Sequence, residues 1–243
     1  MRESGKGKNA GKRDIQRICV PMSRREPVFN LSETAPLRFA GLLVALYALI
    51  ILTPLYDSQL LEQFLVLRPL KETSGWRWLA LGGHGVFHAS WSHVLLNATM
   101  LVVFGILTMR GARSHAVVQG VRGRPALVFV AIWLIGVVGG GVAQWLWWMA
   151  VDAIGWADVA GQSAVGASGG VSALFASAAW AMGGRETVVK FGIGWALINL
   201  VFVVFESVIG VGIAWAAHLG GYLAGALVAP LWVAAGVTGF DPR

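Results

Sequence analysis

The sequence has little charge and only one cysteine. Charged residues make up 13% of the 243 residues and hydrophobic residues make up 56%, whereas an ordinary soluble domain is about 25% charged. So few charges cannot cover the surface of a soluble globule, and the composition therefore indicates an integral membrane protein. The lone Cys19 has no partner for an intramolecular disulfide and excludes a metal site built from several cysteines.

Basic residues are present in excess, with a net charge of +7, and they are unevenly distributed. They concentrate in the first 36 residues, at Arg38, in a predicted loop at 110–124, in a predicted turn at 184–190 and at Arg243. The exceptions are Arg68, Lys71 and Arg77. Lys and Arg favour the cytoplasmic side of a membrane. We therefore predict that both termini are cytoplasmic, and we attribute the charge to membrane orientation rather than to nucleic-acid binding.

Six apolar runs follow the basic tail. Because a membrane-spanning segment must satisfy its own backbone hydrogen bonds, each run is expected to be a helix. The prediction is an all-α polytopic protein with three parts: a basic cytoplasmic tail (1–36), a six-helix membrane domain (37–236) and a short cytoplasmic C-terminal tail (237–243). The runs cover 39–55, 86–108, 125–149, 165–183, 191–208 and 211–235.

Polar side chains occur in the outer parts of three of these runs. With both termini inside, the second, fourth and sixth runs all pass inward from the outer surface. Ser168 stands at the start of the fourth run, and His218 lies about 10 Å into the sixth run at 1.5 Å per residue. His93 and Asn97 lie in the outer half of the second run. Strongly polar groups in a membrane indicate a functional site.

These residue types can form an activated nucleophile and its supporting groups. A serine within hydrogen-bond reach of a histidine is the core of such a site. Gly221 and Gly225 form a stripe of small residues after His218 that lets a neighbouring helix approach closely. If Ser168 and Gly169 lie on that neighbour, the imidazole can reach the hydroxyl.

The remaining polar residues complete the predicted chemistry. His93 and Asn97 are four residues apart, so they share one helical face and could stabilise an oxyanion. Asp152 and Asp158 fall in the predicted external loop. No aspartate is therefore placed to complete a triad, and a Ser-His dyad is the simpler mechanism.

Four motifs together resemble those of the rhomboid family of intramembrane serine proteases. Their order along the chain and their positions on the first loop and on the second, fourth and sixth spans match the family pattern, and the likeness covers residues 39–235. The motifs are GWR at 75–77, HASWSHVLLN at 88–97, GASG at 166–169 and AHLGGYLAG at 217–225.

The resemblance implies a role for each matching residue. Ser168 would be the nucleophile and His218 the general base, and both His93 and Asn97 would form an oxyanion hole with the Ser168 backbone N–H. Many relatives carry an aromatic residue that packs against the catalytic histidine, but this chain has Ser172 at that position. Structural positions near the site would be His88, Gly166, Gly169, Gly221, Gly225 and, in a membrane-lying first loop, Trp76 and Arg77.

The resemblance implies hydrolysis of peptide bonds in or near the transmembrane segments of other proteins. No cofactor and no metal would be needed, and the expected partners are transmembrane substrates and the lipid bilayer, with no nucleic acid. The composition and the bare six-helix core suggest a bacterial inner membrane. A non-proteolytic relative that acts as a membrane chaperone or binds transmembrane segments is the main alternative. A transporter would show polar groups continuing through the inner leaflet, where the fourth and sixth runs have few.

Overall fold

The computed structural model describes residues 33–209 and 212–237. Within these ranges the chain is almost entirely helical, so the predicted all-α fold is confirmed. Nearly all of the two predicted tails, 1–36 and 237–243, lies outside the described residues, and the three-part division of the chain stays a prediction.

Seven α-helices occur in the described residues. Two of them, α2 and α3, are short and lie in the connection between α1 and α4, which also contains three 3₁₀ turns. The other five are long. The helices are α1 (Thr34–Ile51), α2 (Gln59–Leu65), α3 (Ala80–Gly83), α4 (Trp91–Val118), α5 (Pro125–Ala153), α6 (Ser168–Ile209) and α7 (Trp215–Trp232).

Helix α6 consists of two helical segments separated by two glycines. Gly183 and Gly184 have non-helical backbone angles, and the φ of +66° and ψ of −149° at Gly184 lie in a region open almost only to glycine. We call residues 168–182 the first segment of α6 and residues 185–209 its second segment. The described chain therefore contains six long helical segments, which correspond to the six apolar runs.

Two of the predicted connections were placed wrongly. The predicted turn at 184–190 is mostly helical, because only Gly183 and Gly184 have non-helical backbone angles. Glu186 and Lys190 form an ion pair of 2.7 Å across the first helical turn that follows. The loop predicted from residue 110 begins only after Val118. Hydropathy marks where a helix becomes polar, whereas the helix itself continues until a breaker such as Gly120 adopts a positive φ.

Among the helices of residues 33–209 and 212–237, four are long and apolar enough to cross a membrane. Together with the composition they identify an integral membrane protein. That all six segments cross the bilayer stays a prediction, because the four include α6 as a single helix and do not include α7. The four are Thr34–Ile51, Trp91–Val118, Pro125–Ala153 and Ser168–Phe205 within α6.

The centre of the bundle is formed by α5, α7 and the first segment of α6. Small residues bring these helices close together: a Cβ atom on Gly140 would lie 2.6 Å from the carbonyl oxygen of Ala217, and Gly136 faces Ala173. Close packing of this kind is how helices associate where lipid removes the hydrophobic driving force. It holds the first turns of α6 and α7 next to each other.

One end of the bundle is held by contacts among chain segments that are distant in sequence. Glu33 pairs with Arg113 near the end of α4, and the Ala234 amide donates to the Gly111 carbonyl. The Val237 amide likewise reaches Ala181, at the far end of the first segment of α6. Ser168 is therefore at the opposite end of the bundle.

The connection between α1 and α4 is joined to the loop between α5 and α6. Leu67 and Ala164 form an isolated antiparallel bridge, and the Arg68 guanidinium donates to the Gly161 carbonyl at 2.8 Å. Lys71 binds Asp152 at 2.9 Å, a hydrogen bond that raises the pKa of Lys71. These contacts hold the chain just before Ser168 against the first loop.

Candidate active site

Ser168 is the first residue of α6, and the backbone before it is fixed by two histidines. The Gly166 amide donates to the carbonyl of His84 at 2.8 Å, and the Ala167 amide donates to Nε2 of the buried His88 at 3.3 Å. Gly166 has a φ of +124°, and a Cβ atom there would lie 2.6 Å from the His93 ring. Only glycine fits this turn, which leads directly into the helix that carries Ser168.

His218 lies beside Ser168. Its Nε2 is 2.9 Å from Ser168 Oγ, across the contact between α7 and the first turn of α6. The separation is possible because glycines line the contact. A Cβ atom on Gly221 would collide with the backbone of Gly169, and one on Gly225 would collide with the backbone of Ala173.

The start of α7 is also held from α5. The first amides of a helix have no intrahelical partner, and the side chain of Gln144 accepts from the Ala217 amide at 3.3 Å. Gln144 is buried, with 4% of its surface exposed. It thereby fixes the turn of α7 that carries His218.

The second ring nitrogen of His218 contacts a residue that the sequence analysis did not select. His218 Nδ1 lies 2.7 Å from Oδ1 of Asn199, which is on the second segment of α6. The ring of Trp195, one turn earlier, lies against the imidazole at 5.7 Å between centroids and 34° between planes. A strongly polar side chain inside the apolar run at 191–208 was the signal available for Asn199.

Ser172 does not contact His218 through its hydroxyl. Its Oγ donates to the Ser168 carbonyl one turn earlier at 2.7 Å. The side chain at the position where many relatives carry an aromatic residue therefore binds the backbone of its own helix. The ring beside His218 is that of Trp195.

His93 and Asn97 lie on α4 at the same end of the bundle. The His93 ring is next to Gly166, two residues before Ser168, and 5.1 Å from the His88 ring. The Asn97 amide group donates to the His93 carbonyl at 3.0 Å, and Asn97 is buried. His93 is therefore beside the backbone that precedes the serine, and Asn97 is one turn further along α4.

Trp76 and Arg77 lie in a 3₁₀ turn, Gly75–Leu79, within the first loop. Trp76 is 70% exposed, so most of its ring is available to surrounding lipid or headgroups. Among the described residues there is no group of three or more His, Cys, Asp or Glu side chains that could hold a metal ion.

The described helices thus bring a serine hydroxyl against a histidine ring at one end of an apolar helical bundle. The chain matches the Rhomboid domain over residues 73–235. This match covers more than half of the chain and includes all four motifs, and the chain belongs to the rhomboid family, whose members are generally intramembrane serine proteases. A search of curated proteins finds no significant match.

Proposed function

We propose that the protein is an intramembrane serine endopeptidase that uses a Ser168–His218 dyad. The observation that carries the proposal is the 2.9 Å separation of Ser168 Oγ and His218 Nε2. A hydroxyl is a weak nucleophile until an adjacent base takes its proton. Both side chains are only partly buried, so a substrate carbonyl can approach the hydroxyl.

In the proposed reaction His218 Nε2 takes the proton of Ser168 as Oγ attacks the carbonyl carbon of the scissile bond. The imidazolium then gives this proton to the departing amine, which leaves an ester on Ser168. Water deprotonated by His218 attacks the ester, and the proton returns to Ser168 as the acid product leaves. One base therefore serves both halves of the reaction.

The negative charge that forms on the carbonyl oxygen needs hydrogen-bond donors. The Gly166 and Ala167 amides already donate to His84 and His88. The Ser168 amide belongs to the first residue of α6, and amides in the first turn of a helix have no intrahelical partner. We propose that this amide, His93 and Asn97 form the oxyanion hole. Removing one donor from such a site costs about 10²- to 10³-fold in rate.

The proposed substrates are transmembrane proteins cleaved in or near their membrane segment, and the proposed location is a bacterial inner membrane with both termini in the cytoplasm. The distribution of basic residues supports this orientation. Reporter fusions after residue 115 and at the C-terminus are expected to read cytoplasmic. Opposite readings at the two positions would contradict the six-span topology.

Cleavage of a model transmembrane substrate by purified protein in liposomes tests the function. Ser168→Ala is expected to abolish cleavage, and Asn97→Ala is expected to slow it by about 10²- to 10³-fold. Ser177→Ala is the matched control, because it removes a buried hydroxyl from the same segment of α6, more than two helical turns after Ser168. A folded wild-type protein that cleaves nothing would favour the non-proteolytic chaperone or binding function. An active Ser168→Ala protein would exclude Ser168 as the nucleophile.

A further inference from the structure

Asn199 and His218 form a hydrogen bond between the second segment of α6 and α7. Asn199 is 1% exposed, and its Oδ1 lies 2.7 Å from His218 Nδ1. The nitrogen it contacts is the one that faces away from Ser168. A buried side chain at this position can control which ring nitrogen carries the proton.

The direction of each hydrogen bond follows from a backbone carbonyl. Nδ2 of Asn199 lies 2.8 Å from the Trp195 carbonyl oxygen, which can only accept, so the amide NH₂ group must point toward it. The Asn199 carbonyl oxygen then faces His218 and must accept a hydrogen bond from Nδ1–H. Nε2 is left with its lone pair, as a base facing Ser168 requires.

We propose that Asn199 is the positioning residue of this site: it holds neutral His218 in the tautomer protonated at Nδ1, with Trp195 packed on the ring. This inference rests on the proposed function. It means that the base is oriented from the second segment of α6, whereas the nucleophile is on the first segment of the same helix. Because the Ser172 hydroxyl binds its own helix, the ring is oriented from the second segment of α6.

The tautomer is measured directly by NMR of the ring nitrogens in protein labelled at histidine. His218 is assigned by comparison with His218→Gln, and spectra are recorded at about pH 8, above the usual titration range of histidine. We expect the proton of His218 on Nδ1 in the wild-type protein. A proton on Nε2 would overturn the inference, and this result does not depend on protease activity or on any Asn199 variant.

Kinetics provide the second readout. Asn199→Leu keeps the approximate volume but removes the acceptor, and it is expected to lower kcat by about 10- to 100-fold, as when a hydrogen-bond partner that orients a histidine ligand is removed. KM should change little, and the Nδ1-protonated fraction should fall. Asn199→Asp keeps an acceptor and should retain more of kcat than Asn199→Leu.

The matched control is Leu200→Ala, at the next residue of the same helix, which is 56% exposed and should leave kcat unchanged. Wild-type kcat in Asn199→Leu would overturn the inference. So would a loss of kcat with an unchanged His218 tautomer, since that loss would come from packing. A wild-type protein that does not cleave substrate would instead contradict the proposed function, while the tautomer measurement would still test the hydrogen bond.

Discussion

The two segments of α6 have opposite surroundings. The first segment is rich in alanine and glycine, and Ala173, Leu174 and Ala179 are completely buried. The second segment carries larger apolar side chains that are more than half exposed, such as Ile193, Leu197 and Val204. The same helix therefore passes from the centre of the bundle to its lipid-facing edge.

This difference separates the two residues of α6 that hydrogen-bond to His218. Ser168 is on the segment that packs tightly against α5 and α7. Asn199, which binds His218, is on the segment whose large apolar side chains are mostly exposed. Close backbone contacts thus hold the helices that carry Ser168 and His218, whereas the ring of His218 also contacts a segment with more exposed side chains, which should cost less to displace.

The largest effect is expected where the tight region is disturbed. In Gly225→Val, a branched side chain meets the backbone of Ala173 on the first segment, and overpacking costs about 1 to 3 kcal/mol. The collision should displace α7 from the first segment of α6, and this displacement should separate His218 from Ser168. Substrate cleavage should fall sharply while membrane insertion is retained, and a fully active variant would show that this contact does not set the distance.

An intermediate effect is expected at the joint between the two segments. Gly184→Ala places a Cβ atom at a φ of +66° and a ψ of −149°, a conformation that costs a residue other than glycine about 1 to 3 kcal/mol. The melting temperature should fall, with a smaller loss of cleavage than in Gly225→Val. The control is Gly41→Ala in α1, where nothing lies within 4 Å of the added atom; equal melting temperatures for the two variants would contradict strain at the joint.

The smallest effect is expected within the second segment. A Cβ atom on Gly194 would have nothing within 4 Å, so Gly194→Val adds the same side chain as Gly225→Val without a collision. Cleavage and melting temperature should both stay near the wild-type values. A loss of cleavage as large as that of Gly225→Val would contradict the difference in packing between the two segments of α6.

Much of the fold was predictable because each long helix in a membrane leaves a run of apolar residues. The ends of helices were harder to predict, since the break at Gly183 and Gly184 is set by backbone angles and not by the charges of Arg185 and Lys190. The same hydropathy signal does not show which face of a helix meets a neighbour.

The contacts of the candidate site were predictable where motifs specify the residues, and they were not predictable where packing between helices decides them. Ser168, His218 and the glycines of α7 stand in recognisable spacings, and the structure places them in contact. Asn199 and Trp195 belong to no such motif. Their contacts with His218 depend on how the second segment of α6 rotates and lies against α7, which the sequence pattern does not specify.

The most direct test of the central claim is to locate the adduct of a serine-directed fluorophosphonate on the purified protein. The reagent requires a serine that is activated by a base, so mass spectrometry is expected to find the adduct on Ser168. Labelling should be absent in Ser168→Ala, very slow in a folded His218→Ala and normal in Ser177→Ala. An adduct on another residue, or equal labelling of the His218→Ala and wild-type proteins, would contradict a Ser168–His218 dyad.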